Sequence, residues 1–339
     1  MKPVLFIVHG MGNHTEASFK SEVVTSLNAA LSYYPNPDTT NIESTFDIVV
    51  FSYNDIFEDY LEKLKNEFGD IITAATSMPE LAAINDVVDF KDDLQSVSEK
   101  VLFTTHWLDV VLYRFTLLGE AIRARFTSQL SQLIRSRGSS NVHIIAHSLG
   151  TAVTLDALSI LYDKNLLIDP TDGKLNPIVN RLGSVTYLAN VAKVLEGIVP
   201  ADQTVVNPSG TGCSNRVFNV NHQLDPFTKV RPYKPTGALW AQLTNIDNEL
   251  EHLATKFPHD VGNYLKNPIV NQPLFEVYFN SPNYNDGVDI AQRQFLANNK
   301  LVAASEEVIQ LIEALKQPGG NDWKRFYSAF KAVYQLIKE

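Results

Sequence analysis

Five short apolar runs, each bounded by polar or turn-forming residues, predict the strands of one sheet. They are residues 3–8, 46–53, Val142–Ala146, 181–190 and 214–222. Short runs rich in Val and Ile are typical of strands buried on both faces of a parallel sheet. Helical spacing of apolar residues predicts helices around residues 15–32, from about Gly119 to Arg137, and after Gly150. This alternation predicts an α/β fold with a mainly parallel sheet and helices on both faces.

We expect a single domain over residues 1–339. Two stretches of it depart from the alternation of strands and helices. Residues 54–118 follow the second strand and predict a helical insertion, acidic at first and then aromatic. Residues 284–339 predict a C-terminal helical extension, whose last two amphipathic helices flank Gly319 and Gly320. The aromatic and aliphatic positions near the end of the insertion (Phe103, Trp107, Leu108, Val111, Leu112 and Phe115) are compatible with a substrate-binding cap or with core packing. For the last helix, with Trp323, Phe326, Phe330 and Tyr334, packing is favoured over membrane contact.

Composition narrows the class of protein. The net charge is -10, with 28 basic and 38 acidic residues and no basic stripe, which argues against a nucleic-acid binder. A single cysteine, Cys213, excludes an internal disulfide framework and thiolate zinc clusters. The apolar run Val4–Val8 is shorter than a signal-peptide core, and no window is long enough to span a bilayer. We therefore expect a cytoplasmic protein, with its oligomeric state left open.

Side chains that could act as nucleophile, acid or base follow the predicted strands at their carboxyl ends, where parallel sheets bind ligands. In chain order they are His9 and His14 after the first strand, His147 and Ser148 after the third, and His222 and Asp225 after the fifth. His259 follows later, in the loop-like segment FPHDVGNYL. Ser148 stands in NVHIIAHSLGTAV between a strand and a helix, with small residues (Ala146 and Gly150) two positions to either side.

A serine, an acid and a histidine in this order suit nucleophilic catalysis. A serine hydroxyl needs a base within hydrogen-bond reach, and histidine fits because its pKa lies near neutrality. The acid would be Asp225 and the base His259. The backbone N–H groups of Leu149 and Met11 are candidates for binding an oxyanion. His14, Trp107 and Phe115 are candidates for contacting the substrate.

On these motifs the chain resembles the α/β-hydrolase superfamily of serine hydrolases. The resemblance rests on FIVHGMG, AHSLG, FNVNHQLDPF and PHDVGNY, and covers roughly residues 1–53 and 119–265. It implies a nucleophile at Ser148, an acid at Asp225, a base at His259 and oxyanion donors at Met11 and Leu149. Ala146 departs from the glycine usual in the motif. NVNHQLDP is also similar to a segment of intracellular phospholipases with the DDHD domain, and this resemblance favours acyl-lipid substrates. Val220 and Asn221 depart from it, since they stand where that segment has aromatic residues.

Each residue also has a structural interpretation. Asp225 precedes Pro226 and could merely start a turn. Among the remaining histidines, we expect His9, His147 and His222 to support loops, His143 to pack in the sheet, and His252 to lie on a surface helix formed by IDNELEHLATKF. No histidine pair has convincing metal-ligand spacing, so we expect neither a metal nor a cofactor.

The sequence thus predicts a hydrolase of carboxylic esters, with a small-molecule or lipid ester as substrate. An acyltransferase or thioesterase would use the same residues, because the acyl-enzyme step is shared. A non-catalytic binding module on the same fold is the third possibility. The acyl length and the head group are not encoded in any pattern we recognise.

Overall fold

A six-stranded, wholly parallel sheet organises the described part of the chain, in the order β2-β1-β3-β4-β5-β6. The computed structural model describes residues 2–11, 15–67, 109–162, 175–196, 200–249, 252–255, 257–316 and 322–338. The strands are β1 Val4–Val8, β2 Asp47–Phe51, β3 Val142–His147, β4 Ser184–Leu188, β5 Val217–His222 and β6 Thr244–Asn248. The five predicted strands are confirmed, each within one to three residues of its expected bounds.

Helices connect the strands and extend beyond them. They are α1 Glu16–Leu31, α2 Ile42–Thr45, α3 Asn54–Glu67, α4 Leu118–Arg137, α5 Leu149–Tyr162, α6 Phe227–Val230, α7 Val261–Leu265, α8 Pro268–Phe279, α9 Asn283–Asp286, α10 Val288–Asn298, α11 Glu306–Lys316 and α12 Asp322–Lys338. Residues 109–115 are also helical. The predicted insertion therefore begins and ends in helix, while its residues 68–108 lie outside the described residues.

The two faces of the sheet bury two separate clusters of apolar side chains. Along β1, Val4, Phe6 and Val8 face one cluster, while Leu5 and Ile7 face the other. Side chains of a strand alternate between faces, so a strand covered on both sides must be apolar at every position. This explains why β1 has a continuous apolar sequence rather than an alternating one.

Helices cover both faces, as predicted. Phe126 of α4 and Val153 of α5 belong to the first cluster, and Val23 of α1 and Leu274 of α8 belong to the second. Phe326 of α12 is fully buried in the first cluster, which supports packing as the role of that helix.

The prediction of a surface helix at His252 is wrong. His252–Leu253 form a short strand, β7, which pairs antiparallel with Val302–Ala303, β8. The preceding residues Thr244–Asn248 form β6, at the edge of the main sheet, where Ile246 and Asn248 are buried. Charges at helical spacing also suit an exposed strand, and pairing with distant partners overrides local preference here.

No helix in the described ranges has the length and apolarity needed to cross a membrane.

Candidate active site

The turn at Ser148 joins a strand directly to a helix. β3 ends at His147 and α5 begins at Leu149, so Ser148 is the one residue between them. Its φ is 55°, in the left-handed region that non-glycine residues seldom adopt. Its backbone N–H donates to the Leu188 carbonyl of β4 at 3.1 Å, which continues the pattern of the sheet. The sharp strand-to-helix turn expected from the sequence is therefore present.

Two glycines make room for this turn. A Cβ on Gly150 would lie 2.4 Å from the His9 carbonyl oxygen, and one on Gly10 would lie 2.6 Å from the Ser148 Cβ. Both distances are too short for carbon atoms, so neither position accepts a larger residue without displacement. Gly10 also shows that the loop after β1 runs directly against the serine.

Thr151 fixes the turn to the neighbouring loop. Its hydroxyl donates to the Ser148 carbonyl at 2.6 Å and accepts from the Val191 N–H at 3.2 Å. Val191 follows β4, so the turn after β3 is hydrogen-bonded to the loop after β4.

Three predicted side chains form a continuous hydrogen-bonded chain. His259 Nε2 lies 2.6 Å from Ser148 Oγ, and His259 Nδ1 lies 2.7 Å from Asp225 Oδ2. These residues are separated by 34 and 111 positions in sequence, and all three are buried, with Ser148 only 1% exposed. Because a carboxylate accepts, Nδ1 carries the proton and Nε2 is left free to accept one from the serine hydroxyl.

The Asp225 carboxylate is surrounded by donors. Burial disfavours its charge, but His259, the Tyr264 hydroxyl and the Phe227 N–H outweigh burial and hold the pKa of Asp225 below its usual value. The Tyr264 hydroxyl donates to Oδ2 at 2.5 Å and the Phe227 N–H donates to Oδ1 at 3.0 Å. Asp225 is therefore an ionised, fully hydrogen-bonded group, although its side chain is completely buried.

His259 is positioned from two further sides. The His147 Nε2–H donates to the His259 carbonyl at 2.8 Å, which ties the loop to the end of β3. The Phe227 ring lies edge-on to the imidazole, with centroids 4.5 Å apart, and Phe257 lies 6.2 Å away. His259 therefore has a polar partner at each ring nitrogen, and aromatic rings lie around it, including the imidazole of His147 at 5.0 Å between centroids.

The candidate oxyanion donors stand in the turn after β3 (Leu149) and in the loop after β1 (Met11), which meet where Gly10 lies against Ser148. Leu149 is the first residue of α5, and the first N–H groups of a helix lack partners within the helix. Met11 directly follows Gly10 and is buried in the first apolar cluster. Their role stays a prediction.

Only one of the three candidate substrate contacts, Phe115, lies in the described part of the chain. His14 and Trp107 lie outside the described residues. Phe115 is 61% exposed, and its ring packs against Trp323 of α12 at 4.9 Å between centroids. The structure thus joins the end of the predicted insertion to the last helix, and the role of Phe115 in binding stays a prediction.

Other histidines have structural contacts of the expected kind. His9 donates from Nδ1 to the Gly10 carbonyl at 2.6 Å, and its ring stacks on Tyr53. His222 accepts the Leu224 N–H at 3.1 Å in the loop that leads to Asp225. His143 lies 2.9 Å from the Ser184 hydroxyl, inside the sheet. Burial lowers the pKa of both His143 and His222 to about 4, so both are neutral near pH 7.

Sequence reasoning missed the supporting residues Phe227 and Tyr264. Phe227 stands two positions after Asp225, and Tyr264 stands five after His259. Both lie inside motifs that were recognised, FNVNHQLDPF and PHDVGNY, but their contacts depend on how the two loops meet. A spacing pattern within one loop does not carry that information.

No protein-family model matches this chain, and no curated protein is significantly similar to it. Within the described ranges, no group of three or more His, Cys, Asp or Glu side chains could hold a metal ion. The interpretation of the site therefore rests on its own geometry.

Proposed function

We propose that this protein is a serine hydrolase of the α/β-hydrolase superfamily, and that it cleaves carboxylic esters through an acyl-enzyme on Ser148. The observation that carries the proposal is the hydrogen-bonded chain from Ser148 to His259 to Asp225, with distances of 2.6 and 2.7 Å. Each contact has the polarity that nucleophilic catalysis requires: hydroxyl to imidazole, and imidazole to ionised carboxylate.

In the first half-reaction, Ser148 Oγ attacks the ester carbonyl carbon and its proton moves to His259 Nε2. The Asp225 carboxylate stabilises the resulting imidazolium without taking the proton itself. The carbonyl oxygen becomes an oxyanion, which the N–H groups of Leu149 and Met11 would bind. When the C–O bond breaks, His259 returns the proton to the departing alkoxide, and the acyl group remains on Ser148.

In the second half-reaction, His259 takes a proton from water as the water attacks the acyl-enzyme. The tetrahedral intermediate collapses, the carboxylic acid leaves, and Ser148 recovers its proton from His259. Substrate and water are both consumed once, and the enzyme is unchanged. Burial of the three residues favours this chemistry, since charge interactions strengthen where water is excluded.

Acyl esters or lipids are the proposed substrate class. The rings of Phe227 and Phe257 lie near His259, and Met11, which follows Gly10, is buried among apolar side chains. Apolar surroundings of this kind bind hydrocarbon better than a polar acyl group. Transfer of the acyl group to an alcohol or thiol would use the same first half-reaction, and competing acceptors in a product analysis distinguish transfer from hydrolysis.

A non-catalytic binding module is less well supported. Such a module has no need of a serine, a histidine and a carboxylate in mutual contact, and these three are in contact. Fold alone would not decide between the two, because one fold serves many functions.

Labelling by a fluorophosphonate probe tests the proposal. We expect the unchanged protein to be labelled, and Ser148→Ala and His259→Ala to lose labelling. Ser184→Ala is the matched control, because Ser184 is also buried and hydrogen-bonded to a histidine. Labelling that survives in Ser148→Ala, or is absent from the unchanged protein with probes of short and long chain, would contradict the proposal.

A further inference from the structure

Two side chains donate to the same oxygen of Asp225. His259 Nδ1 lies 2.7 Å from Oδ2, and the Tyr264 hydroxyl lies 2.5 Å from it. Tyr264 is fully buried and lies five residues after His259, within α7. The mechanism above uses His259 and Asp225 but assigns no task to this tyrosine.

The position of Tyr264 is fixed independently of Asp225. Its phenol ring packs between the imidazole rings of His147 and His222, whose centroids lie 6.2 and 6.1 Å from it. Asp260 caps α7 by accepting the Gly262 N–H at 2.7 Å. His259 and Tyr264 thus project from the two ends of one short, well-fixed segment toward one carboxylate oxygen.

We propose that Tyr264 is a positioning residue of the catalytic site, whose hydroxyl orients the Asp225 carboxylate and restrains the basicity of His259. This inference rests on the proposed function only in calling the site catalytic. The hydrogen bonds and their effect on His259 do not depend on any substrate.

The physical reason is competition for one oxygen. A hydroxyl that donates to Oδ2 draws on the negative charge that would otherwise stabilise the His259 imidazolium. Without that hydroxyl, more of the charge is available to His259, so the pKa of His259 rises. The acidic limb of a catalytic pH profile would then move to higher pH, because the base becomes protonated earlier as the pH falls.

Several other ionisable groups lie near Asp225 and His259, and Tyr264→Phe leaves all of them in place. Lys229 of α6 interacts with the Asp225 charge, and His147 and His222 lie on the strands behind it. On the α1 side, burial and the neighbouring Asp260 raise the pKa of Glu22 to about 7. Because Glu22 titrates near neutrality, the measurement must observe His259 itself and compare variants with one another.

The experiment is an NMR titration of the His259 imidazole in the full chain with isotopically labelled histidine. Tyr264→Phe removes the hydroxyl and little else. Tyr34→Phe is the matched control, since Tyr34 is a buried tyrosine in the same apolar cluster whose hydroxyl donates to Asn271 Oδ1 at 2.7 Å. We expect Tyr264→Phe to raise the pKa of His259 by about half a unit or more, and Tyr34→Phe to leave it unchanged.

A second variant covers the case in which Tyr264→Phe does not fold. Installing 3-fluorotyrosine at position 264 keeps the hydroxyl and makes it a stronger donor, so the pKa of His259 is expected to fall. A folded Tyr264→Phe protein with an unchanged His259 pKa, or an unchanged pKa with fluorotyrosine, would overturn the inference.

Turnover supplies a separate readout. For an ester substrate, we expect Tyr264→Phe to lower kcat about tenfold with little change in KM, because the hydroxyl does not touch the substrate. The titration needs no turnover, so a protein that hydrolyses no ester would refute the proposed function and leave the result for Tyr264 intact.

Discussion

Two buried serine–histidine pairs among the described residues differ in what surrounds the histidine. In one, Ser148 Oγ lies 2.6 Å from His259 Nε2, and the other imidazole nitrogen lies 2.7 Å from the Asp225 carboxylate. In the other, Ser184 Oγ lies 2.9 Å from His143 Nδ1, between neighbouring strands. The second imidazole packs against Phe46 and Tyr278, and burial alone lowers its pKa.

Under the proposed function, the comparison indicates that a serine needs more than a neighbouring base to act as a nucleophile. His143 has no way to stabilise an imidazolium in its apolar site, so it would gain a proton from Ser184 only at great cost. His259 has a carboxylate to do so. Ser148 also stands at a turn at the end of a strand, whereas Ser184 lies within the sheet ladder.

The largest expected effect on catalysis comes from removing the carboxylate charge beside His259, which makes the Ser148–His259 pair resemble the Ser184–His143 pair. Asp225→Asn keeps the size of the side chain but removes the charge that fixes the tautomer of the neutral His259 and would stabilise its imidazolium form. We expect ester hydrolysis to fall by about 10³- to 10⁴-fold in kcat, as loss of this charge does in triads of this type. Steady-state kinetics on a soluble ester measures it, and a fall of less than about tenfold would remove Asp225 from the mechanism.

The histidine of the second pair, His143, should contribute to the pH dependence of stability. His143 has a folded pKa of about 4, below its unfolded value near 6.5, so the unfolded chain binds more protons between these two values. The free energy of unfolding should therefore fall as the pH drops from about 6.5 to 4, by up to about 3 kcal/mol from this residue.

Urea unfolding across this pH range, in the unchanged protein and in His143→Asn, measures that contribution. The variant should show a smaller loss of stability on acidification, whatever its stability at pH 7. Parallel curves for the two proteins would show that His143 is not a buried neutral base.

A smaller effect is expected from the backbone that presents Ser148. In Gly150→Ala the new Cβ would meet the His9 carbonyl at 2.4 Å, so the turn must shift. We expect a loss of about 2 kcal/mol in the free energy of unfolding and reduced labelling of Ser148. Gly210→Ala is the control, because its Cβ would meet no atom within 4 Å, and it should change stability by less than about 0.5 kcal/mol. Equal effects of the two changes would contradict a tight turn.

The smallest effect is expected at Ala189, a residue that has the same unusual backbone conformation as Ser148 but no reactive side chain. Ala189, at the end of β4, has φ 52°, close to the 55° of Ser148 at the end of the neighbouring β3. Ala189→Gly should alter the free energy of unfolding by less than about 1 kcal/mol, since relief of strain and added chain entropy oppose each other. Labelling of Ser148 should not change. Loss of labelling in Ala189→Gly would mean that the two turns are coupled.

The sequence predicted the strands best where their composition is extreme. β1 and β3 are apolar at almost every position because both faces of the sheet are covered, and that pattern is local. β6 reads TNIDN and has no such pattern, since it lies at an edge and its pairing with β5 depends on the whole fold. The short strand at His252 was missed for the same reason.

For the candidate site, likewise, the sequence predicted the residues that stand in local motifs but not the contacts between separate loops. Ser148, Asp225 and His259 stand in motifs that can be recognised one at a time, and their order along the chain suggested that they meet. The second donor to Asp225 Oδ2 and the ring of Phe227 against His259 arise where separate loops pack together. Such contacts depend on relative placement, which one sequence without structure does not specify.

The most direct test of the central claim is to trap the acyl-enzyme. The protein would be mixed with an activated acyl ester, quenched in acid within one turnover, and analysed by intact mass and peptide mapping. We expect a transient gain of one acyl group, located on Ser148 and absent from Ser148→Ala, while Ser184→Ala acylates normally. Ester cleavage without an adduct, or an adduct on any other residue, would contradict it.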